Sequence, residues 1–215
     1  MVEGIIFDLD GVLIDSSVCH RDAFQAVFAP YGIHDFDYPT YAGKRTPDVI
    51  AEIFRRAGIA ANPEVIAQTA QEKSRLARQF LGEKEPLVEG CPEILKQLAG
   101  RYSLALATSG SRPSLEMFLD LTDCRPLFRS ILSGEDVAYA KPDPEIYRRS
   151  AEALGIPSSH CLVVEDAVAG VQAARAAGAT VVGLAGTCRL DALKDAGAAY
   201  IIHRLPELPE LLTSL

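Results

Sequence analysis

Two aspartates one residue apart, Asp8 and Asp10 in Gly4-Ile5-Ile6-Phe7-Asp8-Leu9-Asp10-Gly11, stand where a short apolar run stops and a glycine follows. Such a run predicts a buried strand whose tip opens into a crevice, and ligands of parallel sheets bind at that end. In extended chain, residues two apart face the same side, so the two carboxylates project together while Leu9 packs the other way. Like charges held that close need a cation. Without one a carboxyl stays protonated, and a divalent ion that favours oxygen ligands is the common remedy. The alternative is a turn with solvated acids.

Three further segments end in groups suited to work with that pair. Leu104-Ala105-Leu106-Ala107 delivers Thr108, Ser109 and Gly110 ahead of a helix that Pro113 opens. A hydroxyl, free backbone N–H groups and a helix start can hold phosphate, the alternative being a plain Ser/Thr-rich turn. Tyr139-Ala140-Lys141-Pro142-Asp143-Pro144 sets one lysine among prolines that stiffen the backbone and aim the ammonium, against the alternative of a solvated loop. Cys161-Leu162-Val163-Val164 delivers Glu165 and Asp166, and with Asp8 and Asp10 these make an oxygen-rich nest suited to Mg²⁺. Asp166 also fits as the cap of a helix over 167–177.

The elements that must position these groups follow from periodicity. Strands expected at 103–108, 129–133, 161–165, 180–184 and 200–202 alternate with helical segments, which predicts an α/β fold, a Rossmann-like parallel sheet covered on both faces. Residues 16–82 show only helical spacing. Asp15-Ser16-Ser17 reads as connector and cap ahead of Phe24, Val27, Phe28 and Tyr31, and Gly32 ends that helix. Thr46 reads as N-cap, with Pro47 leading Val49, Ile50, Ile53 and Phe54; Asn62-Pro63 opens a helix that stops near Gly82. The chain is therefore expected to divide into a core of 1–15 and 83–215 and an inserted small α-helical cap of 16–82. Glu83-Lys84-Glu85-Pro86 is the second connector.

The totals narrow the function. At 215 residues, 48% hydrophobic and 23% charged, the chain suits one large domain or an ordinary domain with an insert. A net charge of −8 argues against nucleic acid as partner, because that affinity comes from clustered Lys and Arg. No apolar stretch reaches the roughly 18 residues a bilayer requires. The five cysteines are widely spaced and never form a C-x-x-C pair, so they read as free thiols, and no signal peptide is visible, which together give a cytoplasmic expectation. A monomer is expected, with a dimer as the alternative.

In order and position these segments resemble the haloacid dehalogenase superfamily of phosphotransfer enzymes, over the whole chain. Phe7-Asp8-Leu9-Asp10-Gly11-Val12 matches its first motif, Thr108 its second, Lys141-Pro142 its third, and Glu165-Asp166-Ala167-Val168-Ala169-Gly170 its fourth. The helical insert resembles the cap of the subgroup containing phosphoglycolate phosphatase and β-phosphoglucomutase. The resemblance implies that Asp8 forms an aspartyl-phosphate and that Asp10 is general acid and then general base. It implies that Asp8, Asp166 and the Asp10 backbone carbonyl bind Mg²⁺, with Glu165 a ligand or behind one. It also implies that Thr108 and Lys141 hold the phosphoryl group. Dehalogenases of the superfamily lack the second aspartate, so Asp10 favours phosphoryl over halide chemistry.

The cap is expected to close over the strand ends and set specificity. Lys44 and Arg45, beside Gly43 and just ahead of Thr46, are candidates to grip a second anionic group, a solvated basic loop being the alternative. Lys73 is expected to face the site, with Arg75 and Arg78 solvated. His20 stands where sugar-phosphate members of the subgroup carry a histidine; pairing with Asp10 when the lid opens is one reading, and an exposed helical histidine is the commoner one. Phe36, Tyr38 and Tyr41 suit either the cap pocket or the cap core. Val18, where an acidic residue is frequent in relatives, and Thr46, where the β-phosphoglucomutase pattern has arginine, depart from the mutase. The expected activity is a Mg²⁺-dependent phosphatase acting on a small phosphorylated metabolite. A phosphomutase is the second reading, and a non-catalytic receiver-like module the third.

Overall fold

In the computed structural model, which describes residues 1–83 and 86–215, Gly4–Phe7 forms β1, four residues buried throughout. Two of the four residues of the expected second connector, Lys84 and Glu85, lie outside the described residues. β1 pairs in parallel with β2 (Ser103–Ala107) on one side and β4 (Cys161–Glu165) on the other. β3 (Phe128–Leu132), β5 (Thr180–Leu184) and β6 (Tyr200–Ile202) complete a six-stranded parallel sheet in the order β3-β2-β1-β4-β5-β6. The expected strands occur to within one residue at their ends. The strand order reverses between β1 and β4, so the crevice beyond their carboxyl ends is the switch point where such sheets bind ligands.

Period-2 alternation sorts the β1 side chains onto two faces. Ile5 and Phe7 pack with α5 (Cys91–Ala99), α6 (Arg112–Thr122) and α10 (Leu208–Thr213) through Leu95, Phe118 and Leu208. Ile6 packs on the opposite face with α7 (Glu145–Leu154), α8 (Val168–Ala176) and α9 (Leu190–Ala196), through Tyr147, Val171 and Leu193. Full burial of each such apolar side chain contributes about 1.5–3 kcal/mol, which fixes the strand tip rigidly between two layers.

Residues 16–82 form α1 (Ser17–Phe28), α2 (Tyr38–Tyr41), α3 (Thr46–Arg56) and α4 (Pro63–Gly82), with no strand among them. Their apolar stripes meet in a separate cluster of Phe24, Phe28, Phe36, Ile50, Phe54 and neighbours. Asn62 caps α4 as expected, its Oδ1 accepting the Val65 N–H at 2.9 Å. Other caps differ from expectation. Arg45 rather than Thr46 is the N-cap of α3, putting Pro47 at the second helical position, and Ser16 makes no side-chain cap bond. The four-residue α2 gave no periodic signal, because barely more than one turn cannot show the i, i+3, i+4, i+7 spacing. No helix among the described residues is long and apolar enough to cross a membrane. All five cysteines are buried and none is in a disulfide bond.

Candidate active site

Asp8 continues the sheet ladder: its N–H donates to Val164 O at 3.1 Å, which directs the side chain out of the β1 tip. Lys141 Nζ donates to Asp8 Oδ1 at 2.6 Å, to Glu165 Oε1 at 2.7 Å and to Ala107 O at 3.2 Å, so its three donors are all engaged in a buried position. Glu165 is saturated as well. Its Oε1 also accepts from Tyr147 Oη at 2.6 Å, and its Oε2 accepts the N–H groups of Asp166 at 3.1 Å and Ala167 at 3.2 Å. Gly170 makes room for that carboxylate, since a Cβ there would lie 1.7 Å from Glu165 Oε1.

One oxygen each from Asp8, Glu165 and Asp166 lie within 4.8 Å of one another, a group that could hold a metal ion. The Asp10 side chain is not part of it. Burial, with the charges of Glu165 and Asp10 adding to it and Lys141 opposing, pushes the Asp8 carboxyl up to about 8. Burial together with Glu165 and Asp8 pushes Asp166 well above the usual carboxylate range. Three buried carboxylates with one ammonium are short of positive charge, and an all-oxygen donor set suits a hard divalent cation such as Mg²⁺. Because all four acceptor sites of Glu165 are taken, the carboxylates with capacity left for an ion are Asp8 and Asp166. Asp166 does not cap α8: the N-cap is Ala167, with no side-chain cap bond, and the Asp166 carboxylate turns instead toward the cluster. The β1 loop approaches it closely through Gly11, at φ +82°, where a Cβ would fall 1.7 Å from Asp166 Oδ2.

Asp10 faces the helical insert. His20 Nε2 lies 2.7 Å from Asp10 Oδ1, and Lys73 Nζ lies 2.7 Å from His20 Nδ1 and 4.3 Å from the centroid of the Phe24 ring. A charged ammonium has only donors, so Nδ1 accepts, and the ring proton sits on Nε2 and is given to Asp10. Burial alone would raise Asp10, but the hydrogen bond from His20 and the Lys73 charge behind it hold the carboxyl below its usual range. Ser16 adds to this. Its buried hydroxyl has no hydrogen bond of normal geometry among the described residues, yet its dipole beside Asp10 favours the anion.

Burial brings the Lys73 ammonium down to about 8, with Asp10 pulling the other way. An unfolded lysine titrates near about 10.4, so the folded chain binds fewer protons between those two values. The burial cost is then complete below about pH 8 and fades as pH rises toward about 10.4. Stability from this group is expected to climb by about 3 kcal/mol across that window, at about 1.4 kcal/mol per pKa unit. Lys73→Met should lack the climb. Melting curves of both proteins from about pH 7 to 10 check this, and parallel trends would discard it.

Thr108 is buried at the end of β2, where its Oγ1 accepts the Gly110 N–H at 2.9 Å. Gly110 also borders Asp10: a Cβ there would stand 3.2 Å from Asp10 Oδ2. The cap loop meets the core at Gly43, at φ +80°, where a Cβ would come within 3.0 Å of the Ala167 Cβ. Lys44 lies 3.5 Å from Glu52 and 5.2 Å from the Tyr41 ring centroid. Arg45 donates to Asp48 at 3.1 Å and to Val137 O at 3.4 Å, bridging insert and core. Both basic residues thus already have a carboxylate neighbour.

Two neighbouring cavities result. One of about 40 Å³ is bordered by Asp8, Asp10, Asp166, Thr108, His20 and Lys73, with Gly43, Lys44, Tyr38 and Tyr41 also at its wall. It shares Thr46, Ser109 and Gly110 with a second cavity of about 630 Å³. Phe36 belongs to the insert's core instead. Arg75 is exposed, as expected, and pairs with Glu72, but Arg78 lines the larger cavity, contrary to the solvated position expected for it. Tyr147 went unnoticed in the sequence because its hydroxyl meets Glu165, 18 residues away, a separation over which no periodicity carries information.

The haloacid dehalogenase-like hydrolase family model matches residues 5–184. The chain is 32% identical over 203 residues to validoxylamine A 7'-phosphate phosphatase of Streptomyces hygroscopicus subsp. limoneus, covering 91% of this chain and 92% of that one. It is 30% identical over 178 residues to fructose-1-phosphate phosphatase YqaB of Escherichia coli K12, covering 81% and 92%. Among solved structures, β-phosphoglucomutase of Clostridium difficile superposes with a TM-score of 0.87 over 100% of this chain and 96% of the other, at 23% identity, a likeness of fold.

Proposed function

The chain belongs to the haloacid dehalogenase-like hydrolases, and from that premise we propose that it is a Mg²⁺-dependent phosphatase of a small phosphorylated metabolite, with a sugar-like leaving group. One observation carries the reading: Asp8, Glu165 and Asp166 converge within 4.8 Å, the first two tied by Lys141, with Thr108 and Asp10 at the same cavity as Asp8 and Asp166. Both named relatives are phosphatases of phosphorylated metabolites. Residues 16–82 act as the cap, and 1–15 with 83–215 as the core.

In the proposed reaction the Asp8 oxygen not held by Lys141 attacks phosphorus, and the bond to the leaving oxygen breaks. Asp10 gives that oxygen its proton, then takes one from the water that attacks the aspartyl-phosphate and releases phosphate. His20 holds Asp10 as the anion, the form needed for the second half, so Asp10 must leave His20 to serve the first. Lys141 balances charge on the phosphoryl oxygens, and Thr108, Ser109 and Gly110 orient them with hydroxyl and N–H groups. Asp8, Asp166 and the Asp10 carbonyl would hold Mg²⁺, which supplies positive charge to the transferring group when bound.

A phosphomutase would need to keep water from the aspartyl-phosphate; Val18 and Thr46 both depart from the mutase pattern, and the likeness to β-phosphoglucomutase is one of fold. Family membership sets the receiver-like module aside. Purified protein with Mg²⁺ is expected to release phosphate from sugar phosphates without isomerising them, and EDTA should reduce the rate at least ~100-fold, reversibly, because the buried carboxylates are left unbalanced. Full activity in EDTA, or isomerisation outpacing release, would overturn the assignment.

A further inference from the structure

The small chamber, at about 40 Å³, has room for about three water-sized groups at roughly 10–15 Å³ each, which is the scale of a phosphoryl group's oxygens. The rest of a substrate must occupy the adjoining cavity of about 630 Å³, large enough for a sugar. Ala70, Ser74 and Arg78 line it at i, i+4 and i+8, one face of α4. The same helix brings Lys73 to His20.

The two cations and two anions in this wall, Arg45, Arg78, Asp48 and Glu135, are equal in number but not paired off. Arg45 is matched with Asp48, and Glu135 accepts the backbone N–H of Arg112 at 3.0 Å, at the start of α6. Arg78 is half-buried and makes no side-chain hydrogen bond or ion pair with any described residue. In a chain of net charge −8, carboxylates are plentiful, yet none meets this guanidinium. A guanidinium is always charged, and its planar fork matches carboxylate or phosphate.

Resting on the phosphatase reading above, we propose that Arg78 receives a second anionic group, phosphate or carboxylate, at the far end of a sugar-sized phosphoester, which makes it a specificity-determining residue. Lys44 and Arg45, which have carboxylate neighbours, take a lesser part in that grip.

The test is calorimetric binding to the Asp8→Asn protein with Mg²⁺ present, so that no turnover intervenes. Fructose 1,6-bisphosphate is compared with fructose 6-phosphate for a second phosphate, and 6-phosphogluconate with glucose 6-phosphate for a carboxylate. At least one doubly anionic probe is expected to bind ~10-fold or more tightly than its singly anionic partner, the scale of a charged hydrogen bond. The pair that shows the advantage identifies the group. Adding Arg78→Gln should bring the two affinities within about twofold, whereas Arg78→Lys should keep part of the difference, because the charge remains and the fork is lost. Equal affinities in the parent protein, or an advantage that survives Arg78→Gln, would overturn the proposal. Failure of the unaltered enzyme to release phosphate from any of the four sugars would strike the phosphatase reading instead, and the affinity ratios would still decide Arg78.

Discussion

Asp8→Asn is expected to abolish phosphate release while leaving a folded protein. The amide keeps the volume of the carboxylate and retains an oxygen that can accept from Lys141 Nζ, which now lies 2.6 Å from Asp8 Oδ1. It cannot supply an anionic nucleophile, and loss of a nucleophile costs on the order of 10⁵- to 10⁶-fold in turnover. The fold tolerates the change because Asp8 is costly where it stands: burial and the charges of Glu165 and Asp10 raise its carboxyl to about 8. Removing that charge relieves repulsion as it weakens one ion pair, so the melting temperature should move by no more than about 4 °C. Phosphate-release assays and thermal melts on the purified variant check both halves. Retention of even ~1% of activity would remove Asp8 from the nucleophile's role.

Lys141→Met should cost both activity and stability, in contrast to Asp8→Asn. Among the described residues Lys141 is the one ammonium paired with this cluster, through Asp8 and Glu165, and its removal leaves buried carboxylates facing one another. Breaking a buried pair by deleting one partner destabilises by about 3–5 kcal/mol, because the remaining charge has neither water nor counter-ion. At about 2–4 °C per kcal/mol for a chain of this size, the melting temperature should fall by roughly 6–20 °C. The rate should fall at least ~10²- to 10³-fold even under conditions where the variant is folded, the scale of losing one preorganised donor to a developing charge. A variant with unchanged melting temperature and a rate within tenfold of the parent would show that Lys141 neither balances the cluster nor serves the phosphoryl group.

Much of this site was legible in the chain because its groups are delivered by short-range patterns. Apolar runs that stop at Asp8, Thr108 and Glu165 mark strand ends, and a parallel sheet places all such ends on one edge. The helical stripes through Phe24, Phe28, Ile50 and Phe54 likewise foretold a separate apolar cluster. Short-range pattern failed where a choice depended on a distant partner. Asp166 read equally well as a helix cap or as part of the acidic cluster, and only the extended backbone at Ala167 decides that the cap lies one residue later. Ser16 read as a cap because its type is right, yet its hydroxyl lies beside Asp10 without capping α1.

The sequence by itself determined which groups are available and which edge of the sheet they reach, because strand alternation and turn chemistry act over a few residues. Tertiary structure alone decided which groups touch. Lys141 reaches Asp8 across 133 positions, and Lys73 reaches His20 across 53, separations over which no periodicity carries information. Arg75 and Arg78 are three residues apart on one helix, and helical spacing fixes the angle between them but not which side the core will take. Packing of α4 against α1 and α3 settled that, turning Arg78 toward the cavity and leaving Arg75 in solvent.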